Sequence, residues 1–122
     1  MGKALETANK FYEVTEKKKG IGLENVITGD MKFDGPLMKF NGAREYIEST
    51  KQFLQMHRGT RMKRQFENGS DVCSIYEMDI ATPAGGMITL EVVDWLQVSN
   101  DKVAKQKIYY DPRDFAKAFG LG

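Results

Sequence analysis

The chain has 122 residues, of which 41% are hydrophobic and 29% charged, and its formal net charge at pH 7 is +1. This length and composition are typical of one globular domain and exclude a disordered chain, so we expect a single domain over residues 1–122. The near balance of acidic and basic residues provides no broad positive field for a polyanion, which argues against nucleic acid as a partner.

The chain contains one cysteine, Cys73, and one histidine. A single cysteine excludes a disulfide within the chain, and the pair provides too few ligands for a structural zinc site. No stretch approaches the length of a membrane span, and the first residues lack the apolar core of a signal peptide. We therefore expect a cytoplasmic protein that uses no metal or other cofactor and does not bind a membrane.

Two amphipathic helices are predicted in the first half of the chain. Apolar residues recur every three or four positions over residues 5–15, which indicates one helix. A short helix or turn then leads into a strand at residues 31–35. Asn41 can cap a second long helix, whose apolar spacing continues to His57 and which Gly59 ends.

The second half of the chain predicts a meander of strands separated by turn residues. The strands are expected at residues 60–67, 71–81, 87–98 and 102–110, and a short helix follows Asp111-Pro112. Helices followed by an antiparallel meander indicate an α+β fold. We expect the curved sheet to wrap around the long N-terminal helix and to form a cone whose open end can hold a small ligand.

Asp94 interrupts an otherwise apolar face of the strand at residues 87–98. The other members of that face are Ile88, Leu90, Val92, Leu96 and Val98. Inside a cone, apolar surroundings would raise the pKa of this carboxyl, so that it can donate a hydrogen bond at neutral pH. A buried structural acid, bonded to a tyrosine, a backbone amide or a lysine, fits the same pattern.

Two further polar residues are candidates for the inside of the cone. Gln106 shares one side of the last strand with Ile108, and it either orients a ligand or bonds a water or a backbone group. His57 lies at the predicted end of the second helix, where an imidazolium interacts favourably with the helix dipole. The helix-end role is favoured over that of a general base.

Two segments, KFDGPLMKFNGAREYIESTKQFL and EVVDWLQVSNDKVAKQKIYYDP, resemble the SnoaL-like branch of the nuclear transport factor 2-like (NTF2-like) superfamily. The resemblance covers about residues 5–115. It implies the cone-shaped α+β fold, also described as cystatin-like, of polyketide cyclases and ketosteroid isomerase. It also implies a homodimer through the outer sheet face, where Met87, Val93, Trp95 and Tyr109 form an apolar surface.

The same resemblance assigns roles to site residues. Asp34, in KFDGP, matches the general base of ketosteroid isomerase, and Asp94 matches its second, protonated acid. An acid before Gly-Pro is also a good turn residue, and that structural role is favoured slightly. The position of the oxyanion-binding tyrosine is Phe11 here, which leaves Tyr12 or Tyr76 as substitutes.

A protein-interaction domain that works through the outer sheet is a third, weaker interpretation, and two functions are open for the predicted cone itself. One is an enzyme of the isomerase, cyclase or dehydratase kind, in which Asp34 moves a proton and Asp94 holds a developing oxyanion. The other is a protein that binds a hydrophobic molecule, or has only a structural role, and catalyses nothing. In both, the expected ligand is a small apolar or aromatic molecule, and the predicted contacts are Phe11, Tyr12, Phe53, Tyr76, Leu90, Gln106 and Ile108.

Overall fold

A computed structural model describes residues 2–121 as three α-helices, a short 3-10 helix at Leu23–Asn25 and six strands. The helices are α1 (Lys3–Glu16), α2 (Ala43–Leu54) and α3 (Arg113–Ala118). The strands are β1 (Ile27–Asp34), β2 (Lys39–Asn41), β3 (His57–Asn68), β4 (Asp71–Ala81), β5 (Met87–Ser99) and β6 (Lys102–Tyr109). Within this part of the chain, no helix combines the length and apolar character needed to cross a membrane.

All six strands form one sheet with the order β2-β1-β6-β5-β4-β3. Strands β3 to β6 pair as the predicted antiparallel meander, and β1 is the exception because it runs parallel to β6. The chain therefore places its first strand beside its last one, next to a short antiparallel edge strand, β2. The predicted α+β fold with an antiparallel meander is confirmed, and the parallel pairing of β1 makes the whole sheet mixed.

The boundaries around α2 differ from those predicted. The helix ends at Leu54, and His57 is already paired with Ile80 as the first residue of β3. Its N-cap is Gly42 rather than Asn41, with φ 95° and ψ 152° and no side-chain capping bond. His57 continued the apolar spacing of the helix because tertiary contacts bury its side chain in the sheet. Periodicity alone does not distinguish a residue buried in this way from the next member of a helical stripe.

The first strand is longer than predicted, and one strand was missed. β1 begins at Ile27 instead of residue 31, and its pairing with β6 shifts register between Ile27 and Lys32. That irregularity accommodates Gly29 within the strand. The edge strand β2 has three residues, too few for a recognisable alternation.

The core lies between the helices and one face of the sheet, which we call the inner face. Residues of α1, Ala8 and Phe11 among them, pack in one cluster with Val72 and Leu96 of the sheet. A second cluster joins the sheet to α3 through Phe115. Tyr12 packs against both clusters, so the long N-terminal helix holds this tyrosine where the two parts of the core meet.

Candidate functional site

Asp94 occupies the centre of the inner face. Alternation along β5 places it on the same side as Val92 and Leu96, and all three side chains are fully buried. Its partners in the neighbouring strands are Ser74 of β4 and Ile108 of β6. The Asp94 carboxylate therefore points inward in the structure, as the alternation along the strand predicts.

Three side chains from three elements donate hydrogen bonds to a single oxygen of Asp94. The Tyr76 hydroxyl lies 2.8 Å from Oδ2, the Gln106 amide nitrogen 2.9 Å and the Tyr12 hydroxyl 3.1 Å. The Gln106 carbonyl oxygen accepts a bond of 2.6 Å from the Tyr46 hydroxyl of α2, which fixes the orientation of the amide. We call Tyr12, Tyr46, Tyr76, Asp94 and Gln106 the Asp94 network.

Burial and the hydrogen bonds of the network change the pKa of the Asp94 carboxyl in opposite directions. Burial raises the pKa of Asp94 to about 6, although the bonds from Tyr76, Gln106 and Tyr12 oppose this rise by stabilising the carboxylate. Burial, and after it the nearby Asp94 charge, raises the pKa of Tyr12, Tyr46 and Tyr76. The tyrosines therefore stay neutral, and Asp94 is the group of the network whose pKa lies nearest to neutral pH.

The other oxygen of Asp94 differs from Oδ2. Oδ1 is buried and has no hydrogen-bond partner among residues 2–121. A buried polar atom without a partner costs about 1–3 kcal/mol. The carboxyl is thus held by three hydrogen bonds on one oxygen and by none on the other among these residues.

A cavity of about 290 Å³ lies between the sheet and the helices, next to this network. Tyr12, Tyr46, Tyr76 and Gln106 form one part of its wall, whereas Asp94 lies behind them and has no exposed surface. The rest of the wall is largely apolar and includes Phe33, Phe53, Met78, Leu90, Ile108 and Phe115. A molecule in the cavity would touch Tyr12 and Tyr76 rather than the Asp94 carboxylate.

All seven residues predicted as ligand contacts line this cavity: Phe11, Tyr12, Phe53, Tyr76, Leu90, Gln106 and Ile108. Their role in binding stays a prediction. The two tyrosines suggested as substitutes for an oxyanion-binding tyrosine, Tyr12 and Tyr76, both donate hydrogen bonds to Asp94, whereas Phe11 beside Tyr12 has no hydroxyl; an oxyanion-binding role stays a prediction. The first helix therefore contributes a tyrosine hydroxyl from the next position along the chain.

Asp34 does not share the cavity, which corrects the expectation of two acids in one pocket. It pairs with Lys107 of β6, which pairs with Trp95 of β5, and residues paired directly across strands share a face of the sheet. Trp95 follows Asp94 and points to the opposite, outer face. The Asp34 carboxylate lies 3.7 Å from the Lys107 ammonium group in a half-exposed ion pair, so the structure separates it from Asp94.

Two functional candidates were missed or underrated by the sequence patterns. Tyr46 belongs to the apolar stripe of α2, and periodicity alone gives no indication that its hydroxyl bonds a buried partner. His57 was assigned to a helix end, but it is buried at the start of β3 and lines the cavity. No group of three or more potential metal-binding side chains occurs in residues 2–121.

No protein-family model matches the chain, and no curated protein matches it. Solved structures do match. An NTF2-like protein of unknown function from Burkholderia pseudomallei K96243 has a TM-score of 0.83 at 16% identity, with 98% of each chain covered.

Two further similar structures carry functional descriptions. A candidate SnoaL-like polyketide cyclase from Shewanella putrefaciens CN-32 has a TM-score of 0.78 at 17% identity, covering 100% of this chain and 88% of the other. A candidate isomerase from Bacillus subtilis has a TM-score of 0.81 at 14% identity, covering 98% and 94%. The predicted resemblance is therefore confirmed at the level of fold: the chain has the NTF2-like fold that SnoaL-like proteins share.

Proposed function

We propose that this NTF2-like protein is an enzyme of the isomerase, cyclase or dehydratase kind that performs cofactor-free acid–base chemistry on a small, mostly apolar molecule. The observation that carries the proposal is the buried Asp94 carboxylate bonded by two tyrosine hydroxyls that line the cavity. A titratable group in a mostly apolar cavity is a common feature of active sites. The fold leaves the reaction open, since similar structures include both candidate cyclases and candidate isomerases.

In this proposal Tyr12 and Tyr76 touch the substrate, and Asp94 acts through them. While Asp94 is ionised, both hydroxyls donate to it and present lone pairs to the cavity. A proton on the carbon next to a ketone carbonyl moves to one tyrosine oxygen while that tyrosine passes its own proton to Asp94. The electron pair of the broken C–H bond forms an enolate, and the reverse transfer, after exchange with solvent, returns a proton to the carbon. A pKa near neutrality suits a group that must both take and return a proton.

Proton exchange with solvent tests the proposal and does not require the natural substrate. A panel of apolar and aromatic ketones is incubated with the protein in deuterium oxide, and deuterium bound to carbon is measured by mass spectrometry. We expect incorporation with at least one ketone, and a rate about 10²–10⁴-fold lower in Asp94→Asn, as for the loss of a general acid or base. Tyr110→Phe, which alters another tyrosine of the cavity wall, is the control and should stay within about twofold of wild type.

A protein that binds the same kind of molecule without reacting is the second candidate. It is favoured by one observation, that Asp94 has no exposed surface and its three bonds are all internal. Binding of the ketones with no deuterium incorporation by the wild type would support it. In that case Asp94 only orients the two hydroxyls that a ligand meets.

We also propose that two copies pair through the outer face of the sheet, in the cytoplasm. Val93, Trp95 and Tyr109 remain 36%, 40% and 45% exposed there, and the Trp95 indole is held by a 3.0 Å bond to Asp71. A two-fold axis through this strip would bury the same apolar side chains of both copies against each other, so a second copy of this chain is the fitting occupant.

A further inference from the structure

The charge on and behind the cavity wall is negative. Among residues 2–121, the cavity is lined by one carboxylate residue, Glu16, and by no lysine or arginine. Asp94 lies directly behind the wall, and its carboxyl is largely ionised at neutral pH because its pKa is about 6. His57 adds no positive charge, since burial lowers its pKa and leaves the ring neutral at neutral pH. No cation of the wall therefore balances these two carboxylates.

Glu16 is accessible to a molecule in the cavity. It is the last residue of α1 and follows Tyr12 by four positions, which places both side chains on the same side of the helix. Its side chain is 34% exposed and also lines the cavity, so Glu16 lies where the cavity meets solvent. One carboxylate oxygen is 3.7 Å from Nε2 of the buried His57, so the carboxylate is turned toward the cavity wall.

The Glu16 carboxylate has no basic partner within residues 2–121. No lysine or arginine nitrogen of this part of the chain lies within 4.0 Å of it. Lys17, Lys18 and Lys19 follow the helix, but their side chains are exposed and do not line the cavity. The C-terminal end of α1 carries the partial negative charge of the helix dipole and adds to that of Glu16.

Aromatic rings form much of the remaining wall. Five of the aromatic residues that line the cavity are half-buried and keep accessible surface: Tyr12, Phe33, Phe40, Phe53 and Tyr110. The face of an aromatic ring attracts a cation that lies within about 6 Å of its centre. Glu16 and these rings are thus complementary to a positive charge that is attached to an apolar body.

The same wall disfavours an anionic molecule. A carboxylate or phosphate that enters a mostly apolar cavity loses its hydration and needs a cationic partner or several hydrogen-bond donors. The wall has no cationic side chain among the described residues, and Glu16 and Asp94 would both repel a negative charge. The charge of the wall therefore selects against anions.

We propose that the cavity binds an aromatic molecule that carries a protonated amine, with the ammonium group between Glu16 and the aromatic rings, and that it rejects the corresponding carboxylate. The proposal rests on the proposed use of the cavity for a small molecule and adds the charge of that molecule. Glu16 is a binding residue in this arrangement and takes no part in the proton transfer through Tyr12 and Tyr76.

Three probes of one shape and different charge test the proposal. They are naphthalenes that carry an aminomethyl, a hydroxymethyl or a carboxylate group at the same ring position, and their Kd values are measured by calorimetry at neutral pH and low salt. In the wild type we expect the ammonium to bind about three- to tenfold more tightly than the alcohol, the combined effect of one ion pair and one cation–π contact. The carboxylate should bind at least about tenfold more weakly than the alcohol.

Two matched variants of α1 test the role of Glu16. Glu16→Gln keeps the size of the side chain and removes its charge, so the advantage of the ammonium over the alcohol should fall at least about twofold. The Kd of the alcohol should change less than about twofold, which shows that the cavity is intact. Glu13→Gln removes the same charge from an exposed residue of α1 that does not line the cavity, and it should keep the advantage within about 1.5-fold of wild type.

The results separate this proposal from the proposed function. If the ammonium has no advantage over the alcohol in the wild type, or the carboxylate binds as tightly as the alcohol, the charge preference is refuted while the cavity remains a binding site. Equal losses in Glu13→Gln and Glu16→Gln would refute the role of Glu16. If the wild type binds none of the probes, both the charge preference and the proposed small-molecule function are refuted.

Discussion

At the scale of single residues, Asp94 combines a structural position with titration near neutral pH. Its side chain is fully buried, yet only one of its oxygens has hydrogen-bond partners among the described residues. Three bonds to the same oxygen stabilise the ionised form, and burial opposes it more strongly, so the carboxyl favours its proton relative to an exposed aspartate. Its effect on stability must therefore depend on pH.

We expect the wild-type protein to lose stability relative to Asp94→Asn as pH rises. The pKa of Asp94 is about 6 in the folded state, whereas an unfolded aspartate titrates near pH 4. Between these values the folded state binds more protons, so the free energy of unfolding falls with rising pH and the contribution is fully present only below about pH 4. Two pKa units correspond to about 3 kcal/mol.

Urea unfolding of both proteins at about pH 4 and about pH 7 measures this effect. Asparagine does not titrate, so the stability of Asp94→Asn minus that of wild type should increase by about 3 kcal/mol between the two pH values. A difference that stays constant with pH would show that Asp94 titrates as an exposed group. Asp34→Asn, on the outer face, is the control for general charge effects.

At the scale of elements, the start of α2 depends on a backbone conformation that favours glycine. Gly42 precedes the helix with φ 95° and ψ 152°, and its backbone N–H bonds the Met31 carbonyl of β1 at 2.7 Å. This turn directs α2 across the inner face, where Tyr46 reaches Gln106. The local conformation at one glycine therefore helps to position the Asp94 network.

Gly42→Ala should destabilise the protein by about 1–3 kcal/mol, the usual cost of a residue in an unfavourable backbone region. The cost is conformational, since the nearest atom to an added Cβ, the Gly29 carbonyl oxygen, would be 4.0 Å away. Gly29→Ala is the matched control: it lies in β1 at a point where an added Cβ meets nothing within 4 Å, and it should change stability by less than about 0.5 kcal/mol. Thermal unfolding of the two variants compares them, and equal losses would contradict this account.

At the scale of the whole molecule, the two faces of the sheet differ in burial: the helices cover the inner face, and the outer face is exposed. The inner face carries the core and the cavity, and the outer face exposes the apolar strip of Val93, Trp95 and Tyr109. A strip of this kind on a small protein is typical of an interface. The same alternation along β5 that buries Asp94 exposes Trp95.

Light scattering after size-exclusion chromatography should give about twice the mass of one chain, as for a closed two-fold dimer. Trp95→Lys places a charge in the middle of the apolar strip and should at least halve the dimer fraction at micromolar concentration, without loss of the folded circular dichroism spectrum. Ile21→Lys, at an apolar residue exposed outside the sheet, is the control and should remain dimeric. A wild-type monomer at all concentrations would refute the interface.

The sequence by itself determined the α+β class, the antiparallel meander and the inward orientation of Asp94. These features depend on local periods, because alternate side chains of a strand point to opposite faces whatever its neighbours are. The apolar members of the predicted contact set, such as Leu90 and Ile108, followed from the same alternation. Gln106 was placed inward for that reason as well.

Only the tertiary structure decided which polar groups meet. Asp34 lies on the outer face because of its register with β6. The turn motif Asp-Gly-Pro in the sequence gives no information about that register. One oxygen of Asp94 bonds Tyr12 because α1 packs across β4 to β6, and it bonds Tyr76 and Gln106 because β4 and β6 flank β5. These residues are 82, 18 and 12 positions from Asp94 in the sequence, so no local pattern predicts that they meet. His57 became part of the cavity wall because pairing with Ile80 ended α2 early, and long-range pairing of this kind is not encoded in any local period.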